Sequence, residues 1–153
     1  VSEYALTPET SLETGETVSE SFHPDRQTYY RDHAWIAALA MAGGMAILWL
    51  MGSPFVWTGA VGGLAAIAVR AFYLASDELA VRWDLTDRRL LGPGPRQVRL
   101  ERIDKLRTIA SAVQIVTIGG EKHLMRYQAD PAATRRRIEA QRGAQRQTGD
   151  ASR

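Results

Sequence analysis

A chain of 153 residues with 19 Lys and Arg against 17 Asp and Glu has a net charge of only +2, yet its charges are partitioned along the sequence. Residues 1–33 hold seven acidic side chains against Arg26 and Arg31, residues 34–76 hold Arg70 alone, and residues 77–153 hold sixteen basic against ten acidic. The absence of cysteine excludes disulfides, thiolate metal sites and cysteine nucleophiles together.

Residues 1–33 are expected to form a mobile acidic segment. Up to about residue 20 the chain is rich in Ser, Thr and Glu and buries too little apolar surface to order itself. From Phe22 onward, aromatics such as Tyr29 and Tyr30 stand among charges, as suits a chain lying along lipid headgroups. A cleaved signal peptide is not expected, because Glu3, Glu9 and Glu13 stand where its basic region would be. His23, His33 and His123 have no neighbouring ligands at metal-site spacing, so no metal is expected.

Residues 34–76 predict a transmembrane helical hairpin with helices over 34–51 and 55–75. Crossing a hydrocarbon core of roughly 30 Å at 1.5 Å per residue takes about 20 apolar residues, and both runs fall in that range. Gly52-Ser-Pro54 joins a helix-ending glycine to a proline suited to a first helical turn. Trp35, Trp49 and Trp57 stand near the ends of the runs, where indole rings favour the interface. Burial of two such helices in a soluble core would need far more protein around them than this chain offers. Small residues spaced by four, Gly59 with Gly63, Ala38 with Ala42 and Ala40 with Gly44, are read as the hairpin's own contact. Sequence alone leaves open whether they pair within one chain or in a homo-oligomer. Arg70 is expected to snorkel from the carboxyl end of its helix. The turn carries no Lys or Arg, whereas Arg26, Arg31, Arg70, Arg82, Arg88 and Arg89 flank the hairpin, which predicts that both termini are cytoplasmic.

Residues 77–142 predict a small β domain with a C-terminal helix. Leu79 to Leu85 alternates as a half-buried strand does, Thr86-Asp-Arg88 turns it, and Arg89-Leu-Leu91 resumes. Gly92-Pro-Gly-Pro95 breaks the chain. Short strands are expected over 97–100 and 103–109, and the strongest β-former, 112–118, leads through Gly119-Gly120 into a strand over 123–127. Asp130 caps and Pro131 opens a helix reaching about Arg142, and residues 143–153 are expected to be a disordered tail.

The run Leu85-Thr-Asp-Arg-Arg-Leu90, the later Arg99-Leu-Glu-Arg-Ile103, and a Gly-Gly hairpin leading to Asp130-Pro131 and a helix resemble the bacterial pleckstrin-homology-like domains of small membrane proteins. In that family a leading segment with a Gly-Glu pair, here Gly15-Glu16, precedes two transmembrane helices, and the layout matches from about residue 12 to 142. The resemblance implies a partly open β-barrel or bent sheet closed at one end by the terminal helix. Some bacterial relatives are associated with assembly of membrane complexes, so the resemblance also implies a bacterial inner-membrane location.

These observations lead to the expectation of a non-enzymatic, membrane-anchored adaptor or assembly factor, whose partners are the bilayer and another integral membrane protein or complex. The alternative is an anionic-lipid-binding module using Arg88, Arg89, Arg96, Arg99, Arg102, Lys105 and Arg107, although Asp84, Asp87, Glu101 and Asp104 are interleaved with them. No catalytic fingerprint or cofactor motif is present, and the carboxylate pairs Asp84/Asp87 and Glu101/Asp104 are read as surface charge. The prolines of Gly92-Pro-Gly-Pro95 remove the N–H donors that a phosphate loop needs. The arginines from Arg135 to Arg146 lack stacking aromatics, so no nucleic-acid partner is expected.

Overall fold

The structure, a computed structural model, describes residues 5–152. It divides into two units, a helix pair over Arg26–Leu79 and a β unit made from both flanks of that pair, 5–25 and 80–152.

The helix pair consists of α1 (Arg26–Leu50) and α2 (Trp57–Ala80), each long and apolar enough to cross a membrane. α1 ends as its sequence predicts. Gly52 adopts φ +70°, its N–H donates to Trp49 O at 3.0 Å, and Ser53 N–H donates to Leu48 O at 2.9 Å, the paired bonds of a glycine-terminated helix. Both helices outrun their expected bounds. α1 begins eight residues before Ala34, so the stretch expected to lie along the headgroups is divided: Phe22 ends a strand and the residues from Arg26 onward are the first two turns of α1. α2 continues through Asp77 and Glu78, which leaves Arg70 about three turns from the helix end.

The helices meet along a seam of small residues. A Cβ on Gly63 would stand 2.5 Å from Ala40 O, and Gly44 and Gly59 press so closely that a Cβ on either would collide with the other's carbonyl. Gly59 and Gly63 therefore lie in the hairpin contact, as expected of small residues that let backbones approach. Ala38 and Ala42 do not. They are exposed on α1, because the seam runs along Ala37, Ala40 and Gly44, whose spacing of three and four keeps one helical face.

The β unit contains two antiparallel sheets and a helix, not a closed barrel. The first sheet has the order β1 (Val18–Phe22), β2 (Trp83–Thr86), β3 (Arg89–Leu91), β4 (Gln97–Arg99). A single 3-10 turn, Leu100–Arg102, leads into the second sheet of β5 (Ile103–Ile109), β6 (Ala112–Thr117) and β7 (Lys122–Met125). Three residues in each of β3 and β4 give only a short edge from which a sheet could curl round to close. Gly92 is held against Trp83, where a Cβ would come within 2.7 Å of the indole. The core fills the space between the sheets: Phe22, Trp83, Leu85 and Leu90 from one, Ile103, Val113, Ile115 and Met125 from the other, and Ile138 from the helix.

That helix, α3 (Pro131–Ala151), starts as expected: Asp130 accepts from Ala133 N–H at 2.9 Å and Pro131 takes the first turn. It also continues past Gly143 through the stretch expected to be a disordered tail, since Ala144, Gln145 and Arg146 are strong helix formers and no proline interrupts them.

The segment expected to be mobile is largely built into the β unit. β1 pairs with β2 through Phe22↔Trp83, Ser21↔Asp84 and Glu20↔Leu85. Upstream, Arg82 N–H donates to Leu6 O, and Glu9 N–H to Gly94 O. Composition hides this because backbone pairing across a long sequence gap leaves no local hydrophobic periodicity.

Candidate functional site

The most enclosed charges in the β unit are Glu16 and Arg89. Gly15, at φ +78°, takes a left-handed conformation that suits glycine, and the turn it makes is closed by Glu16 N–H donating to Glu13 O. It delivers the Glu16 carboxylate to β2 and β3. Arg89 holds that carboxylate with two prongs, Nε to Oε1 at 2.9 Å and Nη2 to Oε2 at 2.7 Å. Thr86 Oγ1 donates to Oε1 at 2.6 Å, and Glu13 N–H donates to Oε2 at 2.7 Å. Two further guanidinium donors reach Gln97 Oε1 at 2.6 Å and Ser11 O at 2.8 Å. The Glu16 side chain is wholly enclosed and that of Arg89 nearly so. The Arg89 hydrogen bonds, against the opposing effect of burial, hold the Glu16 carboxyl down at about 2 from an ordinary 4.5. The same contact raises Arg89 above its usual value. This arrangement binds the chain to itself. It ties the segment before α1 to the strands after α2.

The basic residues expected to form one binding face are thus divided. Arg89 is buried and satisfied, so it does not belong to a lipid or partner surface. Arg88 pairs with Glu13 and Asp87 at 3.4 and 3.6 Å, and Arg99 pairs with Glu13 at 3.1 Å, all partly exposed. Lys105 stands 3.9 Å from Asp104. Arg96, Arg102 and Arg107 are exposed and make no ion pair among the described residues. The Gly-Glu pair was the one sequence signal for the Glu16 site, and it names neither Arg89 nor the burial.

His123 sits on β7 with its ring edge-on to Trp83 at 6.3 Å. Burial pushes the imidazole below its ordinary pKa and Arg96 adds to this, while Glu121 opposes it. No group of three or more His, Asp or Glu side chains that could hold a metal ion occurs among the described residues.

The helix pair carries its own polar contact. Tyr29 Oη of α1 donates to Ala71 O of α2 at 2.9 Å, and His33 Nδ1 donates to Tyr29 O at 2.9 Å with the two rings 4.1 Å apart. Both side chains are buried between the helices beside a shallow apolar cleft of about 180 Å³. In sequence His33 shows only that it has no neighbouring metal ligands; its burial, and the Tyr29–Ala71 bond beside it, depend on the register of α1 against α2.

No family model, curated protein or solved structure matches the chain. The pleckstrin-homology-like resemblance accordingly rests on the residues quoted for it.

Proposed function

We propose that the chain is a non-enzymatic, membrane-anchored adaptor or assembly factor that presents a pleckstrin-homology-like β unit at the cytoplasmic face of a bacterial inner membrane to another integral membrane protein or complex. One observation carries the reading. The cross-strand pair Phe22↔Trp83 brackets Arg26–Leu79, so two helices of membrane-crossing length are inserted between adjacent strands of one sheet. A chain that crosses a bilayer twice returns to its starting side, which is what pairing β1 with β2 requires. The apolar side chains of the helices support the same reading: Trp35, Leu39, Phe72 and Tyr73 are all at least 69% exposed, a surface that lipid would cover. The flanking arginines favour the cytoplasmic side. Sheet edges along β1, β4, β5 and β7 provide backbone donors and acceptors to which an extended partner segment could add.

The test is a gentle-detergent pull-down of the tagged full chain from its native membrane at low and high salt, with co-purifying proteins identified by mass spectrometry. Recovery of one stoichiometric membrane complex that survives high salt is the expected result. Recovery of the chain with lipid alone would overturn the adaptor reading.

A further inference from the structure

Residues opposite one another in an antiparallel pair share a face of the sheet. In the second sheet Leu106, Ile115 and Met125 belong to the core, and the alternate positions Lys105, Arg107, Ile109, Val116, Lys122 and Leu124 share the outer face. No carboxylate occupies a paired position on that outer face; Asp104, at the irregularity beside Lys105, is the acidic neighbour. Arg107 and Lys122 are exposed, and neither forms an ion pair among the described residues. Beyond them, toward the β5–β6 turn and the end of β7, stand aliphatic side chains that face water, Ile109 at 48% and Leu124 at 40% exposure. Cations followed by exposed aliphatics at one end of the face suit a headgroup layer, in which phosphate meets the charges and the acyl boundary takes up the apolar groups.

The chain path gives this face a polarity. Asp25 N–H donates to Tyr127 O at 2.6 Å, Gln128 N–H donates to Ser111 O at 2.8 Å, and α1 begins at the residue after Asp25. The β5–β6 turn, beside Ile109, and the end of β7, beside Leu124, are therefore at the end of the β unit where the chain enters its first apolar helix. We propose that this end of the outer face rests on anionic lipid headgroups of the membrane that the helices span, with Ile109 and Leu124 in the interface and Arg107 on lipid phosphate. The inference rests on the membrane-anchored reading and names a second contact for it, through residues largely different from the paired arginines at 88, 89 and 99.

The natural absence of cysteine makes single-site labelling clean. The full chain, carrying a fluorophore at Ile109→Cys or at Glu121→Cys near the opposite end of the sheet, is reconstituted into phosphatidylcholine vesicles with or without about one third phosphatidylglycerol, and quenching by headgroup-level nitroxide lipid is read. Quenching at position 109 should exceed that at 121 at least twofold with phosphatidylglycerol present and fall at high salt. Arg107→Gln should reduce the contact population about fivefold, the factor that one basic residue near an anionic surface supplies, while Arg107→Lys should keep it. Equal quenching at the two positions, or indifference to phosphatidylglycerol, overturns the proposal. So does a probe silent in vesicles yet shielded in native membranes, which would give the face to an acidic protein segment. Failure of the chain to float with the vesicles would instead overturn membrane anchoring itself.

Discussion

Breaking the Glu16–Arg89 pair from one side leaves a guanidinium buried without its counterion, and removing one partner of such a pair typically costs about 3–5 kcal/mol. Glu16→Gln should therefore destabilise the β unit by about 3 kcal/mol, read as the denaturant midpoint of the full chain in detergent. The double change Glu16→Leu with Arg89→Met should recover much of that loss, because an apolar pair of similar volume leaves no orphaned charge. The pH dependence has a definite sign. The Glu16 carboxyl titrates at about 2 when folded and near 4.5 when unfolded, so its contribution is complete above about pH 4.5 and is lost as pH falls toward 2. Unfolding midpoints measured between pH 5 and 2 should drop steeply for the natural chain and less steeply for Glu16→Gln. At this scale little was legible in advance. Arg89 follows Asp87 and Arg88 in the chain, and nothing local separates it from Arg88, since its burial follows from the Glu16 carboxylate of a segment more than seventy positions away, while Arg88 stays partly exposed.

The helices and strands were better marked in sequence. Apolar length gave α1 and α2, the Gly52 turn gave their junction, and Asp130-Pro131 gave the start of α3. Helix ends were less visible where no stop signal stands, as at Ala80 and beyond Gly143. The close approach of α1 and α2 predicts a contrast between neighbouring glycines. Gly63→Leu drives atoms into the Ala40 carbonyl and should cost about 1–3 kcal/mol of pairing, measured as a lowered thermal midpoint in detergent. Gly62→Leu points into open space and should leave the midpoint unchanged or slightly raised. Equal effects at the two positions would contradict the seam.

As a whole molecule, the chain places a helix pair inside a β sheet's connectivity. Replacing residues 26–79 with a short Gly-Ser linker should join β1 to β2 as an ordinary hairpin and yield a water-soluble, cooperatively folding β unit, checked by circular dichroism and dispersed amide resonances. Removing residues 5–22 from the full chain should instead expose Arg89 and the β2 edge and abolish that fold. In membranes, single cysteines introduced at Ser19 and at Gln147 should be labelled from the same side by an impermeant reagent. Sequence by itself determined the apolar spans, the turn between them, most of the strands and the capped start of the last helix, because each depends on side chains within a turn or two of one another. Only the tertiary structure decided that the acidic leading segment belongs to the domain behind the helices, that the sheets stay separate, and which arginines remain exposed. Those outcomes depend on backbone pairing and burial between residues far apart in the chain, which local composition does not encode.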